Sequence, residues 1–236
     1  MRPVSKKNVG EYLTVGGQDV VVSDPKKHRD SLEALVANLG AYCSYCEVAS
    51  LNHANLQVEH VQPLSRYPDL KLKWSNFLLG CPNCNGRSNK TNKDVVLDEI
   101  HLPHRNNTYY SLIYKEAGVV KVNPTLTGKS KTNAENLVSL LNLDKEDARC
   151  DMRRDIWNKA QAFHEEYVNG EIQLIYLMKY IKAVGCWSIW FTVFKDRDEV
   201  RKALIDEFEG TAKNCFDPGN HYEPIPRNPQ NAADPV

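Results

Sequence analysis

Cys43-Ser-Tyr-Cys46 and Cys81-Pro-Asn-Cys84 stand 34 residues apart and enclose Leu56-Gln-Val-Glu-His-Val-Gln-Pro63. Each CxxC turn presents two sulfurs to one ion, and two such turns complete the tetrahedral shell that zinc prefers. Four thiolates leave no open coordination position. Cys43, Cys46, Cys81 and Cys84 are therefore expected to hold a structural zinc, not a catalytic one. Such a site contributes on the order of 10 kcal/mol of folding free energy, enough to give one shape to a segment with little regular structure. A redox role would need a thioredoxin-like βαβ context, and neither pair has one.

Working outward, residues 47–94 hold short apolar runs broken by Pro63, Pro68, Gly80 and Pro82, which reads as hairpin and loop. On the N-terminal side, Asp19-Val-Val-Val-Ser23 alternates like an edge strand. A helix follows, with Asp30 or Ser31 as its cap, Leu32, Leu35, Val36 and Leu39 as its apolar stripe, and Gly40 as its stop. On the C-terminal side, Tyr109–Tyr114 and Gly118–Val122 read as two strands joined by a glycine-containing turn, with Pro124 closing the pair.

Beyond Pro124 the pattern becomes helical. Thr132-Asn-Ala-Glu135 has the form of a capping box ahead of Leu137, Leu140 and Leu141. Asp144 begins a longer run in which Met152, Ile156, Ala160, Phe163 and Tyr167 recur every three or four residues. Further helices are expected at about 171–184 and about 196–208, on either side of the aromatic run Trp187-Ser-Ile-Trp-Phe-Thr-Val-Phe194. Residues 216–236 carry five of the twelve prolines and read as an extended tail. The expected class is α+β. Its segments are 1–42, a core at 43–124, a helical region at 125–215 and the tail at 216–236.

The chain has 236 residues, with 30 basic residues balancing 30 acidic ones and 42% hydrophobic content. That excludes a disordered or fibrous chain. The longest apolar run is far shorter than the roughly 18 residues a membrane span needs. No secretory signal is read at the N-terminus, so the expected location is the cytoplasm, where seven cysteines do not make a disulfide framework. Cys150, Cys186 and Cys215 read as buried apolar residues. Zero net charge leaves only local attraction to nucleic acid. Residues 60–93 provide it, with Arg66, Lys71, Lys73, Arg87, Lys90 and Lys93 against the single acid Asp69. Arg87, Lys90 and Lys93, spaced by three, would share one side of a helix.

The order Glu59-His60, then Asn76, then Asn85 directly after the fourth cysteine resembles the HNH endonucleases, whose core is a ββα-metal finger. The resemblance runs from about Gly40 to Lys93. It implies that His60 is the general base and that Glu59 and Asn85, with Asn89 and Asn92 as alternatives to Asn85, supply oxygen ligands to Mg2+ or Mn2+. It implies that Asn76 ties the loop and supports the imidazole. Many members have Asp where this chain has Glu59. These residue types suit the chemistry: an imidazole with a pKa near 6.5 is a competent base at neutral pH, and oxygen donors suit a hard cation that serves as Lewis acid and template. His28, His53, His101, His164 and His221 read as solvated or core residues, with His104 left open.

Cys43–Glu47, Val58–Pro63, Trp74–Leu79, His104–Thr108 and the 187–194 run are also similar to the HNH subunit of Septu-type anti-phage systems, some of which accompany retrons. That implies a defence effector with an ATPase partner, docked on the helical region. The competing readings are a zinc-ribbon nucleic-acid-binding protein without catalysis and a scaffold built on an inactive nuclease core.

Overall fold

The computed structural model describes residues 1–50, 55–85 and 93–236. The fold is mixed, with eight α-helices and four two-stranded antiparallel sheets among the described residues. Strands β1 (Tyr12–Val15) and β2 (Gln18–Val21) form an N-terminal hairpin across Gly16-Gly17. The expected edge strand is β2, begun one residue earlier than Asp19. A 3-10 turn, His28–Ser31, leads into α1 (Leu32–Leu39), which stops at Gly40.

The next pair is β3 (Gln57–His60) with β4 (Phe77–Gly80), in the register Gln57↔Gly80, Val58↔Leu79, Glu59↔Leu78 and His60↔Phe77. Phe77, Leu78 and Leu79 are fully buried against Leu35 and Leu39 of α1, which makes β4 the buried floor under β3. The short helix α2 (Pro82–Asn85) follows directly. Proline opens it without loss, because the first helical N–H has no partner within the helix.

The next element departs from the strand expected at 109–114. The Asn107 side chain accepts from Tyr110 N and caps one helical turn, α3 (Thr108–Ser111). Only then does β5 (Leu112–Tyr114) pair with β6 (Val120–Val122). Helix α4 (Gly128–Leu141) starts after Thr127, so the Thr132–Glu135 box lies inside a helix already under way. There the Thr132 hydroxyl bonds back to Gly128 O at 3.4 Å instead of capping. Helix α5 (Ala148–Val168) starts four residues after Asp144, because Asp147 accepts from Arg149 N and Cys150 N and fixes the start.

Helix α6 (Leu174–Val184) is followed by α7 (Trp187–Val193), the aromatic run itself, and by α8 (Asp198–Glu207). Trp187, Trp190, Phe191 and Phe194 are at most 1% exposed and form the centre of a second core with Leu204, Phe208 and Phe216. The tail carries the short pair β7 (Phe216–Asp217) and β8 (Glu223–Pro224). It is not free of the body: Asp234 is buried, and it accepts from Ser130 Oγ and Asn133 Nδ2 at 2.7 and 2.6 Å.

Glu47, the residue after the first cysteine pair, joins the two cores. Its carboxylate accepts from Ser188 N at 2.8 Å and Ser188 Oγ at 2.6 Å, at the start of α7. Its backbone carbonyl accepts from Cys186 N at 2.9 Å. Gly185 permits this approach: a Cβ there would lie 2.3 Å from Glu47 O. No helix among the described residues is long and apolar enough to cross a membrane.

Candidate active site

The tight turn after Tyr42 and the turn into α2 bring the two cysteine pairs together. Ligand atoms of Cys43, Cys46, Cys81 and Cys84 all lie within 4.8 Å of one another, and all four residues are buried. Cys46 Sγ and Cys81 Sγ are 3.6 Å apart, too far for a disulfide and close to the roughly 3.8 Å sulfur–sulfur edge that a tetrahedron with Zn–S near 2.3 Å requires. The donor set and its spacing therefore fit zinc. Backbone donors hold the sulfurs in place: Cys81 N points at Cys43 Sγ at 3.4 Å. Ser44 and Leu79 exchange two further bonds across the knuckle, at 2.8 and 3.2 Å. Hydrogen bonds from Cys43 and Cys46 lower the Cys81 and Cys84 thiols below the ordinary value, while burial and the neighbouring thiols raise those of Cys43 and Cys46.

Strand β3 carries Glu59 and His60 side by side, and adjacent strand residues point to opposite faces. The strand ends at His60. Its ring packs edge-on against Phe77, with centroids 5.2 Å apart. His60 Nε2 lies 3.1 Å from the carbonyl oxygen of Lys71. A carbonyl can only accept, so the neutral ring carries its proton on Nε2 and its lone pair on Nδ1. The loop between β3 and β4 thereby fixes the tautomer.

Asn76 fixes that loop. Its Oδ1 accepts from Gln62 N at 2.7 Å and its Nδ2 donates to Gln62 O at 3.1 Å. Asn76 thus clamps the backbone two residues beyond His60, and these two bonds run to the main chain and not to the ring. Gln62 Nε2 extends the clamp to Val95 O at 3.0 Å.

Glu59, 1% exposed, points to the other face of β3, with its Oε1 3.5 Å from the Tyr45 hydroxyl. Burial and the nearby Glu59 carboxylate push the Tyr45 phenol well above its ordinary value. Asn85, on α2, comes near Glu59 across Gly80, but it lines the cleft that holds His60, whereas Glu59 is not among the lining residues of that cleft. Gly80 permits this meeting: a Cβ there would lie 3.1 Å from Asn85 Cβ and 3.2 Å from Glu59 Cβ. Both oxygen-bearing side chains therefore spring from around one point. Asn85 Nδ2 donates to Gln57 Oε1 at 2.9 Å, so the donating half of its amide is engaged by β3. Two oxygen donors of this kind fit a hard divalent ion.

His60 and Asn85 line one cleft of about 540 Å3, together with His28, Arg29, Leu32, Leu56, Gln57 and Val58. His28 is the residue that sequence reasoning missed. It is neither a core residue nor a freely solvated one, since its ring centroid lies 5.7 Å from that of His60. The available signal was the run Lys26-Lys27-His28-Arg29 just ahead of α1.

The basic residues divide. Lys73 Nζ pairs with Asp24 at 2.8 Å, and Lys93 Nζ donates to Ser139 O and Leu140 O at the end of α4. Lys71 sits at the cleft through its carbonyl. Arg87, Lys90, Asn89, Asn92 and His53 lie outside the described residues. Among the remaining histidines, His101 is fully buried, while His164 and His221 pair with Asp196 and Asp198 at 2.7 and 2.9 Å. His104 lines a separate cleft with Lys6, Trp74 and Asn76.

A family model described as HNH endonuclease matches residues 41–91, the span that holds both cysteine pairs, Glu59, His60, Asn76 and Asn85. The N-terminal hairpin, the Lys26–Arg29 run and the helices from α3 onward lie outside that match. No curated protein matches the chain.

Proposed function

We propose that the protein is a metal-dependent endonuclease that hydrolyses phosphodiester bonds in nucleic acid, DNA in the first instance. The observation that carries this reading is the placement of His60. It lines one cleft with Asn85, its Nε2 is held by the Lys71 carbonyl, and its hairpin lies between two cysteine pairs that converge on one point. In this reading β3, β4 and α2 form the ββα nuclease element, stapled by structural zinc.

Nδ1 of His60 takes the proton of the attacking water. Glu59 and Asn85 would hold the divalent ion, Mg2+ or Mn2+. When bound, it supplies charge neutralisation at the scissile phosphate and at the departing 3′ oxygen. Asn76 keeps the Lys71 carbonyl and the imidazole in register through the loop. Lys71, Arg87 and Lys90 add positive charge for the phosphate backbone. Lys73 and Lys93 contribute less, because Asp24 and the α4 carbonyls already engage them.

The same reading extends to an effector of cytoplasmic anti-phage defence that works with an ATPase partner. Its support is the similarity of the quoted stretches to Septu-type HNH subunits and the second, helical core joined to the nuclease element through Glu47. A plasmid-nicking assay with Mg2+, with Mn2+ and with chelator tests the activity. Co-purification from the native operon tests the partner. Intact plasmid under every divalent ion, alone and with the co-purified partner, removes the nuclease reading in favour of a zinc-ribbon binding protein.

A further inference from the structure

The family match begins at residue 41, yet part of the cleft wall comes from residues before it. The 3-10 turn His28–Ser31 faces the end of β3, and His28 and Arg29 line the cleft with His60 and Asn85. The turn is held in place from both sides. Upstream, Asp24 Oδ1 accepts from Trp74 N and Asp24 Oδ2 from Lys73 Nζ, each at 2.8 Å. Downstream, α1 packs Leu35 and Leu39 into the core under β4. The segment is therefore built against the nuclease element.

The charged groups felt by His28 at the cleft are mostly basic. Burial, then the charges of His60, Arg29 and Lys71, hold the His28 imidazole below its ordinary value, with Asp30 alone opposing them. That direction favours the uncharged ring, which carries one N–H to donate. Arg29 is exposed and forms no ion pair among the described residues. A donor and an exposed guanidinium fork on one concave wall suit phosphate oxygens.

We propose that His28 and Arg29 are substrate-binding residues supplied by the N-terminal segment. His28 donates to a non-bridging oxygen of the phosphodiester at His60, and Arg29 grips the adjacent phosphate of the same strand. This rests on the nuclease reading and adds to it a stretch of cleft wall that the matched domain does not contain.

The test uses the full chain carrying His60→Ala, so that substrate stays intact, and measures fluorescence anisotropy in calcium buffer. The probes are fluorescein-labelled duplex DNA, single-stranded DNA and RNA. Arg29→Ala weakens binding of the preferred probe about tenfold and lowers the salt dependence by about one unit of slope. His28→Ala weakens it by several-fold, and His28→Asn, which keeps a donor, recovers most of the loss. Lys213→Ala, at a lysine paired with Asp206, changes neither readout. Zinc content and melting temperature verify that each variant is folded, and Arg29→Gln at its exposed position substitutes for any that is not. If Arg29 and His28 variants bind like their parent while the unmutated chain cuts nucleic acid, the inference fails and the nuclease reading stands. If the parent binds no probe and the unmutated chain cuts none, both fail together.

Discussion

The guanidinium of Arg149, on α5, lies 3.8 Å from Sγ of Cys84. The same group donates to Leu141 O at 2.8 Å and Asn142 O at 3.0 Å, and pairs with Asp147 at 2.6 Å. Burial works against this charge, yet Asp147 and Cys84 hold the guanidinium protonated above its ordinary value. One side chain thus caps the end of α4 and places positive charge beside a four-thiolate site whose zinc complex carries net negative charge. Removing it, in Arg149→Ala, is expected to weaken zinc retention at least tenfold and to destabilise the fold by about 2–3 kcal/mol. Competition with a chromogenic chelator and urea unfolding measure the two. Zinc affinity equal to that of the unmutated chain would show that the contact is only a cap.

Cys81→Ser removes one of four sulfurs from a closed shell. Zinc stoichiometry should fall toward zero, and the loop-rich segment should lose protection in hydrogen exchange from about Ala41 to Asn85. A zinc-loaded, normally protected variant would mean that the four thiols only pack together.

His60→Ala should lower cleavage by about 10² to 10⁴, the usual contribution of a positioned base, with zinc content and melting temperature unchanged. Asn76→Ala leaves the base in place but releases the loop. It is expected to cost about 2 kcal/mol of stability and a smaller share of the rate. Equal losses at both positions would mean that Asn76 acts at the reacting centre.

Glu47→Gln keeps the shape and removes the charge at the joint between the cores. Ser188 and the backbone of Arg2 lose a charged acceptor. The expected cost is about 3 kcal/mol, with α7 loosening before the nuclease element does. Denaturant unfolding followed by tryptophan fluorescence reads α7 through Trp187 and Trp190, and an unchanged midpoint would contradict the assignment.

Acid should loosen the tail. His101 Nε2 lies 2.9 Å from Asp234, and Ser111 Oγ lies 2.8 Å from His101 Nδ1. Burial lowers the pKa of His101 below its ordinary 6.5, against the pull of Asp234. Burial works to raise Asp234, but Ser130, His101 and Asn133 hold it below the ordinary 3.8. Both groups therefore bind protons less readily folded than unfolded. Their contribution to stability is complete above about pH 6.5 and falls as the pH drops through the folded values. Melting temperature measured from pH 7.5 down to pH 4 should decline, and more steeply in Asp234→Asn, which removes the partner that favours protonated His101. A rise on acidification would reverse the sign of the coupling.

Local pattern carried the chemistry-bearing stretch. Two CxxC turns, a histidine after an acid, and a proline that stops the strand are short-range features, and short-range features are legible in sequence. The helices at Leu32–Leu39 and Leu174–Val184 were legible through their apolar spacing. The start of α4 was not, because the same Thr-x-x-Glu spacing serves inside a helix as well as at its cap. The aromatic run 187–194 declared itself apolar, but only its burial between α5, α8 and the tail made it a helix.

By itself, the sequence determined which atoms were on offer: four sulfurs, one imidazole, two oxygen donors and a loop clamp, all set within some forty residues by spacing. Tertiary structure alone decided what faces that imidazole. His28 lies 32 positions upstream, and it reaches the cleft only because Asp24 anchors to Lys73 and Trp74 while α1 packs beneath β4. No periodicity encodes such a meeting, since it depends on long-range burial that closes one segment against another.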